Sequence, residues 1–276
     1  MAMFVTGDIH GLPQERFSFK THPDLRELTK DDVMIILGDV GLPFGLNAPW
    51  SIESDIYNLR WLNNKPWKTI CICGNHDDRD AISKMPIVEK WNGQVRQAMV
   101  YGTVYKNVFY VDCPQVLDIQ EQHCLIIPGA ESHDIKDGIL DPEDDDFEYR
   151  YKRMKKDPNK LFRIKGWSWW EDEAVDIETT KIVLNEHKNE FFDYIFTHDA
   201  PANINEWFGR YGFREISTEG QLFLENLRET LAFDSWFHGH YHTNQEYPTD
   251  ERIMCLYNWI LECPTWSLED IDKKTQ

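Results

Sequence analysis

Seven short apolar runs, each closed at once by Gly, Asp, Asn or His, constrain this chain more than any other feature. They read MFVTGDIH, VMIILGDV, TICICGNHD, HCLIIPGA, YIFTHDAP, SWFHGHYH and IMCLYNW. Unbroken hydrophobicity of this kind suits strands covered on both faces. Helical patterns lie between them. In SIESDIYNLRWLNN, Ile52, Ile56, Leu59 and Leu62 share one face, and Ser51 suits the N-cap. In TEGQLFLENLRETL, Thr218 and Gln221 have capping-box spacing, while Leu224, Leu227 and Leu231 form a stripe. The stretch ETTKIVLNEHKNEFF has the same helical character. Strands alternating with helices predict an α/β layered fold.

With 276 residues, 41% of them hydrophobic and 13% aromatic, the chain has material for a sizeable core and is not a disordered one. No apolar run reaches the roughly 18 residues of a membrane span. MAMFVTGDIHG enters a first strand directly, so no signal peptide is expected. Cys71, Cys73, Cys113, Cys124, Cys255 and Cys263 are then expected to be reduced core thiols of a cytoplasmic protein. The spacing of Cys71 and Cys73 is too close for an ordinary zinc pair. A net charge of −19 disfavours a grip on nucleic-acid backbone. It does not exclude a nuclease, because bound divalent cations add local positive charge. Asp141–Lys160, DPEDDDFEYRYKRMKKDPNK, sets an acidic block before a basic one. It predicts a solvated surface insertion with helical character, or a flap beside a charged substrate.

Ligands of open α/β sheets bind beyond the carboxyl ends of the strands. Here the first run delivers Asp8 and His10, the second Asp39, and the third Asn75, His76 and Asp77. YIFTHDAP delivers His198 and Asp199, and SWFHGHYH delivers His240 and His242. Mixed carboxylate and imidazole donors suit Mn, Fe or Zn and not calcium. They are too many for one ion. Two ions about 3.5–4 Å apart, sharing a carboxylate, would use them all, clamp a phosphate and activate a water. Each motif alone could be a cap or a turn. Their order, each at the end of an apolar run, points to a site.

Taken together, GDIHG, GDVG, GNHD, THDAP and GHYH resemble the signature of the calcineurin-like metallophosphoesterases, over residues 7 to 242. IIPGAESHD and GWSWWEDE resemble a bacterial and phage-associated branch. The resemblance implies a single metallophosphoesterase domain over 1–276, with the charged insertion at about 141–160. Its fold would be a four-layer α-β-β-α double β-sheet sandwich with a dinuclear site at the strand ends. Asp8, His10, Asp39 and His242 would hold one divalent ion; Asn75, His198 and His240 would hold a second, with Asp39 bridging. The implied reaction is hydrolysis of phosphomonoesters, phosphodiesters or both, by a bridging hydroxide attacking in line. His76 would stabilise the developing charge or act as general acid toward the leaving oxygen. A protein serine/threonine phosphatase and a non-catalytic protein-binding scaffold are the alternatives. The expected partner is the phosphate ester; nucleic acid is disfavoured by the net charge, no membrane partner is expected, and the oligomeric state is left open.

The chain departs from the serine/threonine phosphatases of that superfamily, which carry GDxVDRG and RGNHE. Here the stretches read GDVGLP and CGNHD, with no arginine at either place and no acid after Asp39 to orient His76. Arg79, in HDDRD, could contact phosphate or form a surface salt bridge. Trp167, Trp169 and Trp170 read as core or the base of a lid, or as a platform for a nucleotide base. His133 and Asp134 would approach the site by the branch resemblance. His22, His123 and His187 lie outside every motif. In WFHGHYH, His238 falls outside the closing motif and reads as a core or supporting histidine.

Overall fold

The computed structural model describes residues 1–44, 52–204, 217–248 and 250–264. Strands β1 (Met3–Thr6), β2 (Val33–Ile36) and β3 (Lys68–Ile72) take up the first three apolar runs. β4 (Ile87–Lys90), β5 (Gly93–Val100) and β6 (Thr103–Val111) follow, then β7 (Gln115–Ile119) and β8 (Gln122–Ile127). Next come β9 (Ile139–Leu140), β10 (Arg163–Ile164), β11 (Phe191–Thr197) and β12 (Ala232–His238). β13 (Gln245–Tyr247), β14 (Asp250–Cys255) and β15 (Ile260–Cys263) end the series. The helices are α1 (Pro13–Arg16), α2 (Ile52–Asn63), α3 (Arg79–Ser83), α4 (Phe147–Met154), α5 (Ile177–Glu186) and α6 (Glu219–Thr230).

The result is a mixed α/β fold with several sheets. One sheet runs β15-β1-β2-β3-β6-β5-β4, a second β13-β14-β12-β11-β8-β7, and β9 pairs with β10 apart from both. Strands β1, β2, β3 and β6 are mutually parallel, and so are β8, β11, β12 and β14. All seven apolar runs fall in these parallel cores, as their continuous hydrophobicity requires. A central cluster draws on both sheets, with Val5, Ile35 and Ile70 beside Ile126, Phe196 and Phe237. The alternate residues Met34 and Ile36 join Leu59 and Leu62 of α2 in a second cluster. Leu125 and Ile195 join Leu224 and Leu227 of α6 in a third. Each such side chain, once buried, contributes about 1.5–3 kcal/mol.

The helix expectations are partly met. Thr218 and Gln221 form the capping box: Thr218 Oγ1 accepts from Gln221 N at 3.2 Å, and Gln221 Oε1 from Thr218 N at 3.0 Å. Leu231 is the C-cap of that helix and only half-buried. In α2 the buried polar residues Asp55 and Asn58 sit beside Leu59 and Leu62, while Ile52 and Ile56 are half-buried. Two loops cross that face: Asp55 Oδ2 accepts from Phe44 N at 2.9 Å, and Asn58 Nδ2 donates to Gly11 O at 2.8 Å. Ser51 lies outside the described residues. α5 is shorter than the pattern ETTKIVLNEHKNEFF, because Phe191 already begins β11.

Strands β4 to β7 carry no continuous apolar run and escape the sequence pattern. They are joined into hairpins by two-residue turns with both φ positive, at Trp91-Asn92, Tyr101-Gly102 and, between β7 and β8, Gln120-Glu121. Such turns favour Asn-Gly or Gly-Gly, and two of the three have no glycine. Residues 139–164 fold back on themselves, with Ile139 opposite Arg163 and Leu140 opposite Ile164. Leu140, Phe147 and Ile164 form a small core there, flanked by Tyr151, Met154, Phe162 and Trp167. The charges of this arm pair locally, as in Lys152 with Glu148 at 3.2 Å and Lys165 with Asp141 at 3.3 Å. Among the described residues no helix is long and apolar enough to cross a membrane. All six cysteines are free; five are buried, and Cys113 is exposed against the expectation of a core thiol.

Candidate metal centre

Each chemistry-bearing motif leaves its strand at the carboxyl end, and the ends converge. Asp8, His10, Asp39 and His242 each offer a donor atom within 4.8 Å of the others. Asp39, His198 and His240 do the same in a second group. Asp39 is common to both. Asn75 joins the second group, with Oδ1 3.0 Å from His198 Nε2. His198 Nε2 is also 3.2 Å from Asp39 Oδ1. In the first group, His242 Nε2 lies 3.3 Å from Asp8 Oδ2 and 2.8 Å from His10 Nε2.

Backbone conformation aims these side chains. His10, Asp39, His240 and His242 have φ of 44°, 46°, 70° and 50°. Left-handed backbone at a residue other than glycine costs on the order of 1–3 kcal/mol and persists only where the surroundings impose it. Here His10 N donates to Asp39 O at 2.9 Å, and Gly11 N to Val40 O at 2.8 Å, tying the first two loops together. The approach is close enough that several glycines exclude any side chain, Gly74 and Gly239 among them. A Cβ on Gly74 would fall on Asp39 Oδ1 and within 2.7 Å of His198 Nε2. One on Gly239 would fall on Asp8 Oδ1 and within 2.6 Å of Leu37 O.

The electrostatics call for a cation. Burial alone would push Asp39 up, but His198, His76 and His10 outweigh it and hold the carboxyl well below its usual range. Burial likewise opposes charge on His198, yet Asp39 and Asp8 raise it to about 10. A divalent ion would supply the positive charge that the buried carboxylates demand. Asp8 Oδ2 is buried without a hydrogen-bond partner and faces His242 and His10. Carboxylate, imidazole and amide oxygen form a donor set that fits borderline divalent ions.

Supporting contacts hold the donors. His198 Nδ1 lies 2.7 Å from Leu37 O, which fixes the proton there and leaves Nε2 facing the site. Asn75 Nδ2 donates to Ser132 Oγ at 3.1 Å, and Ser132 N donates to Glu173 Oε1 at 2.7 Å. Asp77 accepts from Gly41 N at 2.7 Å and Gly74 N at 2.8 Å, joining the second and third loops. Asp199 accepts from Gln221 Nε2 and Tyr241 Oη, both at 3.0 Å. His238 is fully buried, with Nε2 3.0 Å from Tyr247 Oη, and belongs to neither donor group.

His76 lies beside the donors. Its Nε2 is 3.8 Å from Asp39 Oδ2, and its ring meets His10 edge to face at 5.3 Å. A cavity of ≈ 440 Å³ opens against His10 and His76, with Phe44, Asp55 and Asn58 on its wall. The residue that sequence reasoning missed is Arg163. Its Nη1 lies 3.0 Å from His76 Nδ1, and its Nη2 meets His76 Nε2. Asp134 Oδ1 accepts from Arg163 Nε at 2.8 Å, so Asp134 of the ESHD stretch reaches the site through this arginine. Burial lowers His76 to about 4, with Asp39 opposing and Arg163 reinforcing the shift. No motif marks Arg163; the only signal is its place just before GWSWWEDE.

The remaining candidates go elsewhere. Arg79 is buried and donates to Asp112 O at 3.0 Å, so it is not a surface ion pair. Trp167 packs on Phe147 at 5.4 Å and Trp170 on Phe44 at 6.2 Å, so the tryptophans anchor different walls. His133 meets the His240 ring at 5.1 Å. His123 and His187 contact Glu190 at 2.7 and 2.8 Å in a separate, more exposed group.

A family model described as calcineurin-like phosphoesterase matches residues 1–244. No curated protein matches the chain. Among solved structures, a phosphopantetheinyl hydrolase from Mycobacterium tuberculosis is similar at 13% identity and a TM-score of 0.42, over 93% of this chain and 89% of that one. A protein of unknown function from Aquifex aeolicus, AQ665, is similar at 16% identity and a TM-score of 0.34, over 99% and 98% of the two chains. Both likenesses are distant and say nothing of substrate.

Proposed function

We propose that this chain, which belongs to the calcineurin-like phosphoesterase family, hydrolyses phosphomonoesters, phosphodiesters or both with two divalent ions. The observation that carries this reading is the meeting of two donor groups in one carboxylate, Asp39. Asp8, His10, Asp39 and His242 would hold one ion. Asp39, Asn75, His198 and His240 would hold the other. Mn, Fe or Zn suits the mixed donors. Bound there, such ions supply Lewis-acid charge to phosphoryl oxygens and lower the pKa of water.

The chain's own residues do the rest. Asp39, with its main chain turned back and its Oδ1 accepting from His76 N at 2.8 Å, keeps His76 at the edge of the donors. In the free protein His76 is a neutral imidazole, given its low pKa. An anionic phosphate beside it favours the protonated form, so the ring gains its proton with substrate bound and donates it to the leaving oxygen. The cavity beside His10 and His76 would admit the organic part of the ester.

We read residues 1–276 as one domain, a four-layer α-β-β-α arrangement supported by the three apolar clusters. The arm at 139–164 extends the charged insertion by a few residues at each end. Six unpaired thiols support a cytoplasmic setting.

The test is hydrolysis of p-nitrophenyl phosphate and bis-p-nitrophenyl phosphate in Mn²⁺, with metal content measured by elemental analysis. Metal-dependent turnover of either ester is expected. A chain that holds two ions and turns over neither ester would be a scaffold, and the reading would fall.

A further inference from the structure

We propose that Arg163, delivered into the site by the arm at 139–164, holds His76 in the free protein and exchanges that contact for the substrate's phosphoryl group, which it grips as His76 takes up its proton. The proposal rests on the phosphoesterase reading above and names the group that recognises its substrate.

Three arginines are buried among the described residues: Arg16, Arg79 and Arg163. Arg16 is turned under the first loop, where it donates to Thr6 Oγ1, to Gly7 O at 3.0 Å and to Asp8 O at 2.8 Å. Arg79 donates to Asp112 O. Arg163 alone of the three reaches His76, with both terminal nitrogens. The two stretches where arginine is missing, GDVGLP and CGNHD, supply no guanidinium of their own.

Its placement favours an anion in the site. The Arg163 side chain is 6% exposed. Through one imidazole it adjoins a cluster suited to divalent cations, and His76 Nε2 is 3.8 Å from the shared Asp39. A buried positive charge beside two cations is repelled by them and poorly hydrated. Asp134, at 2.8 Å from Nε, balances it in part, from a half-buried position. A phosphoryl group between ions and guanidinium reverses the sign of the remaining interaction. The planar fork of arginine also matches two oxygens of a phosphate at once.

The fork is held from behind. Nε is fixed by Asp134 and Nη1 by Ser168 O at 2.9 Å, which leaves the Nη2 edge toward His76 Nε2 and the donors. Only the Ser168 tether is local, in the turn that follows β10; Asp134 reaches Nε from the ESHD stretch ahead of the arm. Backbone pairing of Arg163 with Ile139, and the small core of Leu140, Phe147 and Ile164, set the reach of the side chain. The arm therefore acts as a mount for one guanidinium.

The experiment is calorimetric titration of the manganese-loaded protein with inorganic phosphate, which needs no turnover, alongside elemental analysis. Arg163→Met is expected to keep both ions and to bind phosphate about 30-fold more weakly, the loss of a charged hydrogen-bonded pair. Arg163→Lys is expected to fall between, since it keeps the charge and loses the fork. For p-nitrophenyl phosphate the methionine variant should raise KM as well as lower kcat. Wild-type phosphate affinity in Arg163→Met overturns the proposal, and so does loss of its metals. If Arg163→Met fails to fold, Arg163→Lys decides alone: wild-type phosphate affinity there overturns the fork, and weakened affinity with both ions kept supports it. A wild-type protein that binds two ions and phosphate in an Arg163-dependent way, yet hydrolyses no ester, sinks the phosphoesterase reading and leaves the anion site standing.

Discussion

Asp39 Oδ1 and His198 Nε2 lie 3.2 Å apart, at the ends of strands from different sheets. That contact joins the two donor groups, because Asp39 belongs to both. Asp39→Asn is expected to lower occupancy at both metal positions together, from two ions per chain to fewer than one. Elemental analysis after equilibration with Mn²⁺ checks it; normal two-ion occupancy would refute a shared carboxylate.

Gly74→Ala puts a methyl group onto Asp39 Oδ1 and against His198 Nε2. Neither neighbour has room to retreat, since both are buried and hydrogen-bonded. Metal affinity is expected to fall by about 10- to 100-fold, the usual result of disturbing the groups that orient ligands. Competition with a metallochromic chelator measures this.

His76→Ala is expected to keep both metals and lose activity by about 10²–10⁴-fold. The loss should be larger for the diester, whose leaving group most needs a proton. A variant that arrives metal-free would mean that His76 is a ligand and not a proton donor.

Glu173 gives a pH-dependent signature. Burial pushes its carboxyl up to about 7 from an ordinary 4.5, and Glu173 is 4% exposed. The folded chain then holds this proton more tightly than the unfolded chain. Its contribution is most favourable below about pH 4.5 and declines as pH rises to 7, by roughly 3 kcal/mol in all. Glu173→Gln keeps the acceptor for Ser132 N and removes the titration. Its Tm should match the wild type near pH 5 and exceed it at pH 8. Parallel curves over that range would rule out a buried proton on Glu173.

His238→Asn tests the division among the three histidines of WFHGHYH. Both metals should be retained, while stability falls by about 1–3 kcal/mol as the contact to Tyr247 is lost. Denaturant unfolding together with metal analysis separates the two effects.

Seven of the eight parallel strands were legible because each is a continuous apolar run, and the donors because each rides the end of such a run; β6, parallel to β3, was the exception. β4 to β7 were not, since polar residues interrupt each of them and the chain turns at Trp91-Asn92 and Gln120-Glu121 without the usual glycine. The apolar face drawn for α2 went partly astray at Asp55 and Asn58, whose burial depends on loops distant in sequence. Arg163 was illegible for a plainer reason. It stands 87 residues from His76, in a charged segment without periodicity, and only the fold-back of β9 and β10 brings the two together.

The site also sets an order on the chain's maturation. Asp8, His10, Asp39 and Asn75 stand on one sheet, while His198, His240 and His242 stand on the other. His10 and His242 are 232 residues apart. During synthesis the early carboxylates emerge long before the late imidazoles exist to share an ion with them. A truncated chain has half a claw. On the two-metal reading, metal capture would act as a checkpoint on finished assembly, and a bound ion would rivet the two sheets, so that chelation should loosen the seam between them before either sheet melts.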